Sequence, residues 1–414
     1  MNGLPLSSAS PIPTSMPSPT SFNWRCAATR RSPTSTRSRC GTPTMCASWT
    51  TAATSKNYTA SPRPALSILC AAILKRQKVL CKALPSPRCS MGQSVTHYSS
   101  IKNLRRTGSV LFHTLKTSAH LGIPGTVLHF GTALGDDLLC TVVFRELAKR
   151  GKKNLWIMSE HPELFEHNRD VAKVIPIDEN YGLGLELLGS RYKLLQYGAI
   201  DLATDRTVPP QRHMITELCA CAGVQGEIAL RPYFHVDDSA KARASWAQGS
   251  IAIQTSGLGA RFPTENKEWY PERFQAVVDA LGKECQFVQI GSKTDPEAVG
   301  ACDLRGKTTI HEVAAILANS RLYLGGEGFL MHLARAVDCP SVIVFGGRVT
   351  PWQCGYSCNT NLYSALPCAP CWLWQPCDYE RRCMQDISVA AVITAIRERL
   401  ALPRAPLAVD THLL

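Results

Sequence analysis

Four short apolar runs between residues 251 and 347 restrict the fold more than any other feature of this 414-residue sequence. They are IAIQTS (251–256), QFVQIG (286–291), RLYLGG (321–326) and SVIVFGG (341–347), and each closes on small or polar residues. Amphipathic stretches separate them. From Pro271 to Gly282, the residues Phe274, Val277, Val278 and Leu281 fall at i, i+3, i+4 and i+7, with Pro near the start and Gly at the end. Thr309 and Glu312 have capping-box spacing, ahead of a helix that buries Ile310, Val313 and Leu317. FLMHLARAV supplies a third helix. Strands alternating with helices imply an open, mostly parallel sheet covered by helices. Ligands of such sheets bind at the carboxyl ends of the strands. The glycine-rich loops GTALGDD, TSGLGAR, GSKTD, GGEGF and GGR all sit at that end.

The preceding part repeats the order less clearly. VLHF after Pro124 reads as a strand, and GTALGDD as a loop. DLLCTVVFRELAKRG reads as a helix with Leu138, Val142, Phe144 and Leu147 inward and Gly151 closing it. NLWIMS and VAKVIPI follow as strands. A last amphipathic helix is expected over Ile387–Leu400, with Val389, Val392, Ile393, Ile396 and Leu400 inward. The fold class is therefore α/β, in two lobes over 121–240 and 245–400. FHVDDSAKARASWAQGS serves as linker and lead-in helix, and a small ligand is expected in the cleft.

Charge divides the chain. The formal net charge is +13, yet residues 1–120 hold sixteen Lys and Arg and no Asp or Glu. The remainder carries 29 basic and all 32 acidic residues, so no charge argument ties the body to a specific nucleic acid. Residues 1–120 are expected to be a basic, largely disordered extension: residues 1–65 are rich in Ser, Thr, Pro and Arg and show no apolar periodicity. Three readings stand: a basic tail for membrane or nucleic acid, a transit peptide, or an upstream extension that is not normally translated. The complete lack of acids favours the third, with Met91 as the start. No apolar run reaches the roughly 20 residues of a membrane span, and the first twenty residues carry no positive charge, against a secretory signal. The expected location is cytoplasmic.

Three segments resemble glycosyltransferase family 9, the heptosyltransferases. They are GTALGDDLLCTVVFREL, TSGLGARFPTENKEWYPERFQAVVDAL, and the block from Leu304 to Gly347. The resemblance covers about residues 125–400. It implies the GT-B fold of two facing Rossmann-like lobes. It also implies inverting transfer of heptose, or a related sugar, from a nucleoside diphosphate to a lipid-linked or glycan acceptor of the cell envelope, with peripheral contact at the inner membrane face. Inversion needs a base that takes the acceptor hydroxyl proton. The resemblance places Asp136 in that role, with Asp137 as the fallback; local sequence alone favours a helix cap at Asp136. No metal is expected, because no carboxylate pair is placed as a metal clamp. The leaving phosphates would instead meet helix amides and lysine. Gly328 and Phe329 open a helix, while the Thr255 and Ser256 hydroxyls and the Gly257 amide could act from the first strand. Lys267 matches the family's phosphate-contacting lysine, and its plain reading is a solvated loop lysine. His332 lies one turn into the helix after Glu327, where a lone His is more often structural. Arg261 is a weaker cation, and Gly291, Ser292 and Lys293 are candidates for ribose or base.

The family usually shows Asp-Ser/Thr-Gly where this chain has Glu327-Gly328-Phe329. Glu327 keeps the charge at greater reach, and Phe329 stands where a glycine would. That departure motivates a second reading, a catalytically silent protein of the same fold that binds a nucleotide sugar or a partner. The tail PCAPCWLWQPCDYERRCM places Cys368, Cys371, Cys377 and Cys383 together. Structural zinc there is the weaker reading, since only the first pair has zinc-knuckle spacing. Reduced thiols packed against Trp372 and Trp374 are the plainer one.

Overall fold

A computed structural model describes residues 101–414 except 190, 202–205 and 374–376. Strands β1 (Thr126–His129), β2 (Leu155–Met158), β3 (Lys173–Ile175) and β4 (Tyr192–Leu194) form a parallel sheet in the order β3-β2-β1-β4. A small antiparallel hairpin, β5 (Ala199–Asp201) with β6 (Arg206–Val208), lies outside that sheet. Strand β7 (Glu227–Ala229) closes this half. Strands β8 (Ile251–Ile253), β9 (Phe287–Gln289), β10 (Cys302–Asp303), β11 (Leu322–Gly326), β12 (Ser341–Phe345) and β13 (Thr360–Tyr363) form the second parallel sheet, in the order β10-β9-β8-β11-β12-β13. The four expected strands of this half are its interior. The two edges, β10 and β13, escaped the sequence reading. The tail strand β14 (Thr411–Leu413) returns to pair antiparallel with β7. Two parallel sheets flanked by helices match the expected fold class of facing Rossmann-like lobes.

The helices follow the apolar periodicity. Helix α1 (Ile101–Leu121) is followed by α2 (Leu134–Lys149), α3 (Glu179–Leu187) and α4 (Met214–Cys221). In the second half come α5 (Pro271–Leu281), α6 (Ile310–Asn319), α7 (Phe329–Ala336) and α8 (Val389–Ala401). The capping box of Thr309 and Glu312 is present as expected. The last helix starts two residues later than expected, because the Ser388 side chain accepts from the Ala391 amide and caps it. Helix α2 buries Leu138, Leu139, Val142, Val143 and Phe144 in a core that continues into α7 through Leu330, Met331, Leu333 and Ala334. The two halves thus share one apolar core. A separate cluster beneath α5 and α8 contains Trp269, Phe274 and Ile396.

One expectation needs correction. Residues 101–120 were read with the disordered extension, yet 101–121 form a 21-residue helix. Val110 and Thr114 are buried, one turn apart, on its inner face. Gly184 on α3 makes this docking possible, since a Cβ there would lie 1.7 Å from Thr114 Oγ1. The rest of the extension, including the start expected at Met91, lies outside the described residues.

Candidate active site

The loop after β1 and the loop after β11 each lead into a helix, and the first turns of those helices touch. A Cβ built on Gly135 of α2 would lie 3.7 Å from Phe329 Cα of α7. Around this contact lies a cavity of about 620 Å³, lined by both halves of the molecule. That is the size of a small-molecule site. Asp136, Thr255, Ser256, Gly257, Lys267, Glu327, Gly328, Phe329 and His332, dispersed in sequence, all line it. So do Arg261, Gly291 and Ser292. Asp137 and Lys293 are not among the lining residues.

Asp136 is half-buried in the first turn of α2. The N-cap of that helix is Ala133, with no side-chain cap bond, so the carboxylate is not spent on capping. Its Oδ1 accepts from the Tyr197 hydroxyl at 3.1 Å. Burial pushes the carboxyl up to about 7, against the downward pull of Tyr197 and Lys267, while Asp137 and Glu327 add to the rise. Asp137 is fully buried and takes a 2.5 Å bond from the Ser159 hydroxyl. Burial raises it to about 6. Its second oxygen has no hydrogen-bond partner among the described residues. Placed off the cavity, it supports the loop after β2 rather than facing a ligand.

In the same cavity, Lys267 Nζ lies 2.5 Å from Glu327 Oε2. Burial pushes the Glu327 carboxyl up, but Lys267, His332 and Arg348 outweigh that and hold it below the usual carboxylate range. His332 is buried and bonded through Nδ1 to the Tyr356 hydroxyl at 2.7 Å. Burial lowers it to about 4, so its ring is neutral at pH 7. Arg348 is also buried, donates to the Trp372 carbonyl at 2.8 Å, and stacks 4.9 Å over that indole. Trp372 in turn meets Tyr197 edge-on, at 6.2 Å between ring centroids. Aromatic contacts therefore connect the partner of Asp136 to the cation beside Glu327.

The loop after β8 differs from expectation in detail. The Thr255 hydroxyl donates to the Pro296 carbonyl at 2.6 Å, a structural bond within the lobe. Gln289 donates back to it at 3.0 Å. Ser256 Oγ accepts from the Leu258 amide at 3.0 Å, and the Gly257 amide donates to Glu268 Oε1 at 2.8 Å. Arg261 pairs with Glu160, joining the loop after β8 to the loop after β2. Below Ser292, buried Asp295 accepts from the Ser292 amide at 3.1 Å through Oδ2, and its Oδ1 has no hydrogen-bond partner among the described residues. Burial raises this carboxyl to about 6.

Tyr197, Glu268, Asp295 and Arg348 were missed in the sequence, and Trp372 was read only as a packing partner of the cysteines. Arg348 had a usable signal, for it ends a glycine pair just after a strand. Glu268 adjoins Lys267. Tyr197 had none, because it follows a three-residue strand with no periodicity to announce it.

The cysteine tail lies beside this site. Cys368, Cys371, Cys377 and Cys383 are free thiols around a second cavity of only about 40 Å³. Cys383 Sγ accepts from the Gly347 amide at 3.1 Å. Among the described residues, no group of three or more His, Cys, Asp or Glu is gathered as an ion requires. Trp372 lies near; Trp374 is outside the described residues. No helix among the described residues is long and apolar enough to cross a membrane.

Residues 188–372, a little under half of the chain, match the family model of glycosyltransferase family 9 (heptosyltransferase). Lipopolysaccharide heptosyltransferase 3 of Escherichia coli is 27% identical over 123 residues, which are 25% of this chain and 36% of that protein. The chain thus spans about a third of the length of this curated relative. Among solved structures, E. coli ADP-heptose LPS heptosyltransferase II superposes with a TM-score of 0.50 at 15% identity, covering 66% of this chain and 98% of that one. A family 9 glycosyltransferase from Veillonella parvula gives 0.50 at 14% identity, covering 66% and 97%. At such identities the structural likeness establishes the fold, GT-B.

Proposed function

We propose that this chain, heptosyltransferase-like in sequence and GT-B in fold, is an inverting, metal-independent glycosyltransferase. It would move heptose or a related sugar from a nucleoside diphosphate to a glycan or lipid-linked acceptor of the cell envelope. The observation that carries this reading is the half-buried Asp136, its carboxyl raised to about 7, in a cavity also lined by Lys267 and the start of a helix.

In this reading the acceptor hydroxyl oxygen attacks C1 of the donor sugar as Asp136 takes its proton. The bond from C1 to the phosphate oxygen breaks on the opposite face. The nucleoside diphosphate leaves with the bonding pair. A base poised near neutral suits this step, being ionised often enough and still basic enough. The developing phosphate charge falls toward Lys267, Arg348 and the bare amides at the start of α7. Neutral His332 does not compete for the proton. Asp295 offers an oxygen without a hydrogen-bond partner among the described residues to a hydroxyl of the nucleotide. Asp137 contributes support rather than chemistry.

The first donor to try is ADP-heptose, the sugar nucleotide in the name of the E. coli enzyme of similar fold. Asp136→Asn should release nucleoside diphosphate about 10²–10⁴-fold more slowly than wild type, with donor affinity kept. The silent-protein reading has its own motive, since carboxylates already engage both Lys267 and the Gly257 amide. Donor binding without any turnover in wild type would favour it.

A further inference from the structure

The turn carrying Lys267 presents two side chains in succession to the cavity. Lys267 reaches Glu327, and Glu268 reaches the loop after β8. There the Glu268 carboxylate accepts from the Gly257 amide at 2.8 Å, and the Ser256 hydroxyl next to that amide acts to lower the carboxyl, against the rise that burial causes. These are two of the groups read from the sequence as a phosphate cradle. An ionised carboxylate and a phosphate oxygen ask the same of such donors: short, charge-assisted bonds from N–H and O–H. The backbone beneath is fixed independently, because Arg381 donates to the carbonyls of Glu265 and Glu268 at 3.1 and 3.3 Å. Glu268 itself is only half-buried, so its side chain can swing away while the turn stays in place.

We propose that Glu268 is an internal stand-in for the donor's diphosphate, holding the Ser256–Gly257 cradle when no nucleotide is bound and yielding it when one arrives. The proposal rests on the transferase reading above and adds a residue that sets donor affinity. Glu268 lowers that affinity twice. Its bonds to the cradle must be exchanged, and its charge repels a polyanion brought near it. The same carboxylate then favours product release, because it reoccupies the cradle as the nucleoside diphosphate departs. Glu268 is a positioning residue in this scheme and touches no reacting atom.

The test is calorimetric titration of the full-length chain and its Glu268→Gln variant with ADP, UDP and GDP, and with adenosine as an uncharged control. Gln keeps the size and can still accept from Gly257, but removes the charge and weakens the bond. The variant should bind the preferred diphosphate about five- to tenfold more tightly, the range expected for losing one charge-assisted competitor. Adenosine binding should not change. Glu268→Asp, which keeps the charge but shortens the reach, should gain less. Equal or weaker diphosphate binding by Glu268→Gln, beside a wild type that binds, would mean that Glu268 shapes the cradle for its ligand. That result overturns the stand-in role and leaves the transferase reading intact. Absence of diphosphate binding by either chain overturns both.

Discussion

Helices α2 and α7 bring the same physics to the cavity and use it differently. Each presents a helix N-terminus, with its partial positive charge and unsatisfied amides. Helix α2 carries two carboxylates in its first turn, Asp136 and Asp137. Helix α7 has no acid in its first turn and is preceded by Gly328 at its N-cap; the neighbouring Glu327 is held by Lys267. A helix dipole alone favours ionised acids by about 0.3–1 kcal/mol. At Asp136 burial outweighs that help, and the carboxyl titrates near 7. At Glu327 the lysine outweighs burial, and the carboxyl stays below its usual range. Position at a helix start therefore does not decide an acid's role. The partner does: Asp136, bonded to a neutral hydroxyl, keeps a raised pKa, while Glu327 becomes half of an ion pair.

The largest expected effect separates the two acids by chemistry. Asp136→Asn should cost about 10²–10⁴-fold in turnover. The corresponding Glu327→Gln should act mainly on donor affinity, as steady-state kinetics would resolve. A comparable loss in kcat from both would erase the distinction. Next in size is Lys267→Ala, which leaves Glu327 buried without its cation. About 3 kcal/mol of stability should be lost, seen as a lower denaturation midpoint. Nucleoside diphosphate affinity should fall about tenfold with it. A third effect is the pH profile. Turnover should rise with pH through an acidic limb near 7 as Asp136 loses its proton, and a limb near 4 would contradict the buried-base assignment. The smallest is on stability. Folded Asp136 keeps its proton to about 7, whereas an unfolded Asp loses it near 4. The native state binds more protons across that window, so stability falls as pH rises through it. Asp136→Asn removes this penalty and should be more stable than wild type at pH 8, by about 1 kcal/mol after allowing for partial exposure. Thermal melts at pH 5 and pH 8 would read the difference.

How much could be read in the sequence follows the same division of the molecule. In the second half, helices α5 and α6 announce themselves by Pro271, the Thr309–Glu312 box and clean i, i+3, i+4 spacing. Its four interior strands are mostly apolar because both faces are covered, a pattern that sequence shows plainly. In the first half, β3 and β4 are three residues long and partly exposed, and β4 had no pattern to detect. Helix α1 was hidden by composition, because acid-free flanking sequence masks a face whose buried residues, among those described, are Val110 and Thr114. The site divides in the same way. Glu327, on a glycine loop at a strand end, was found, and Lys267 was found through the family resemblance. What escaped was pairing across the fold: Tyr197 with Asp136, and Glu268 with Gly257. Such partners are 61 and 11 residues apart, and no local spacing encodes them.

The most direct test is thermal-shift binding of nucleoside diphosphates and nucleotide sugars to wild type and Asp136→Asn, followed by turnover with whichever sugar nucleotide binds. A ligand that binds the folded chain raises its midpoint in proportion to ln(1 + [L]/Kd). One nucleotide class should shift both chains alike, and only wild type should then transfer the sugar. No shift with any nucleotide, or equal turnover by the two chains, would contradict a transferase site built on Asp136.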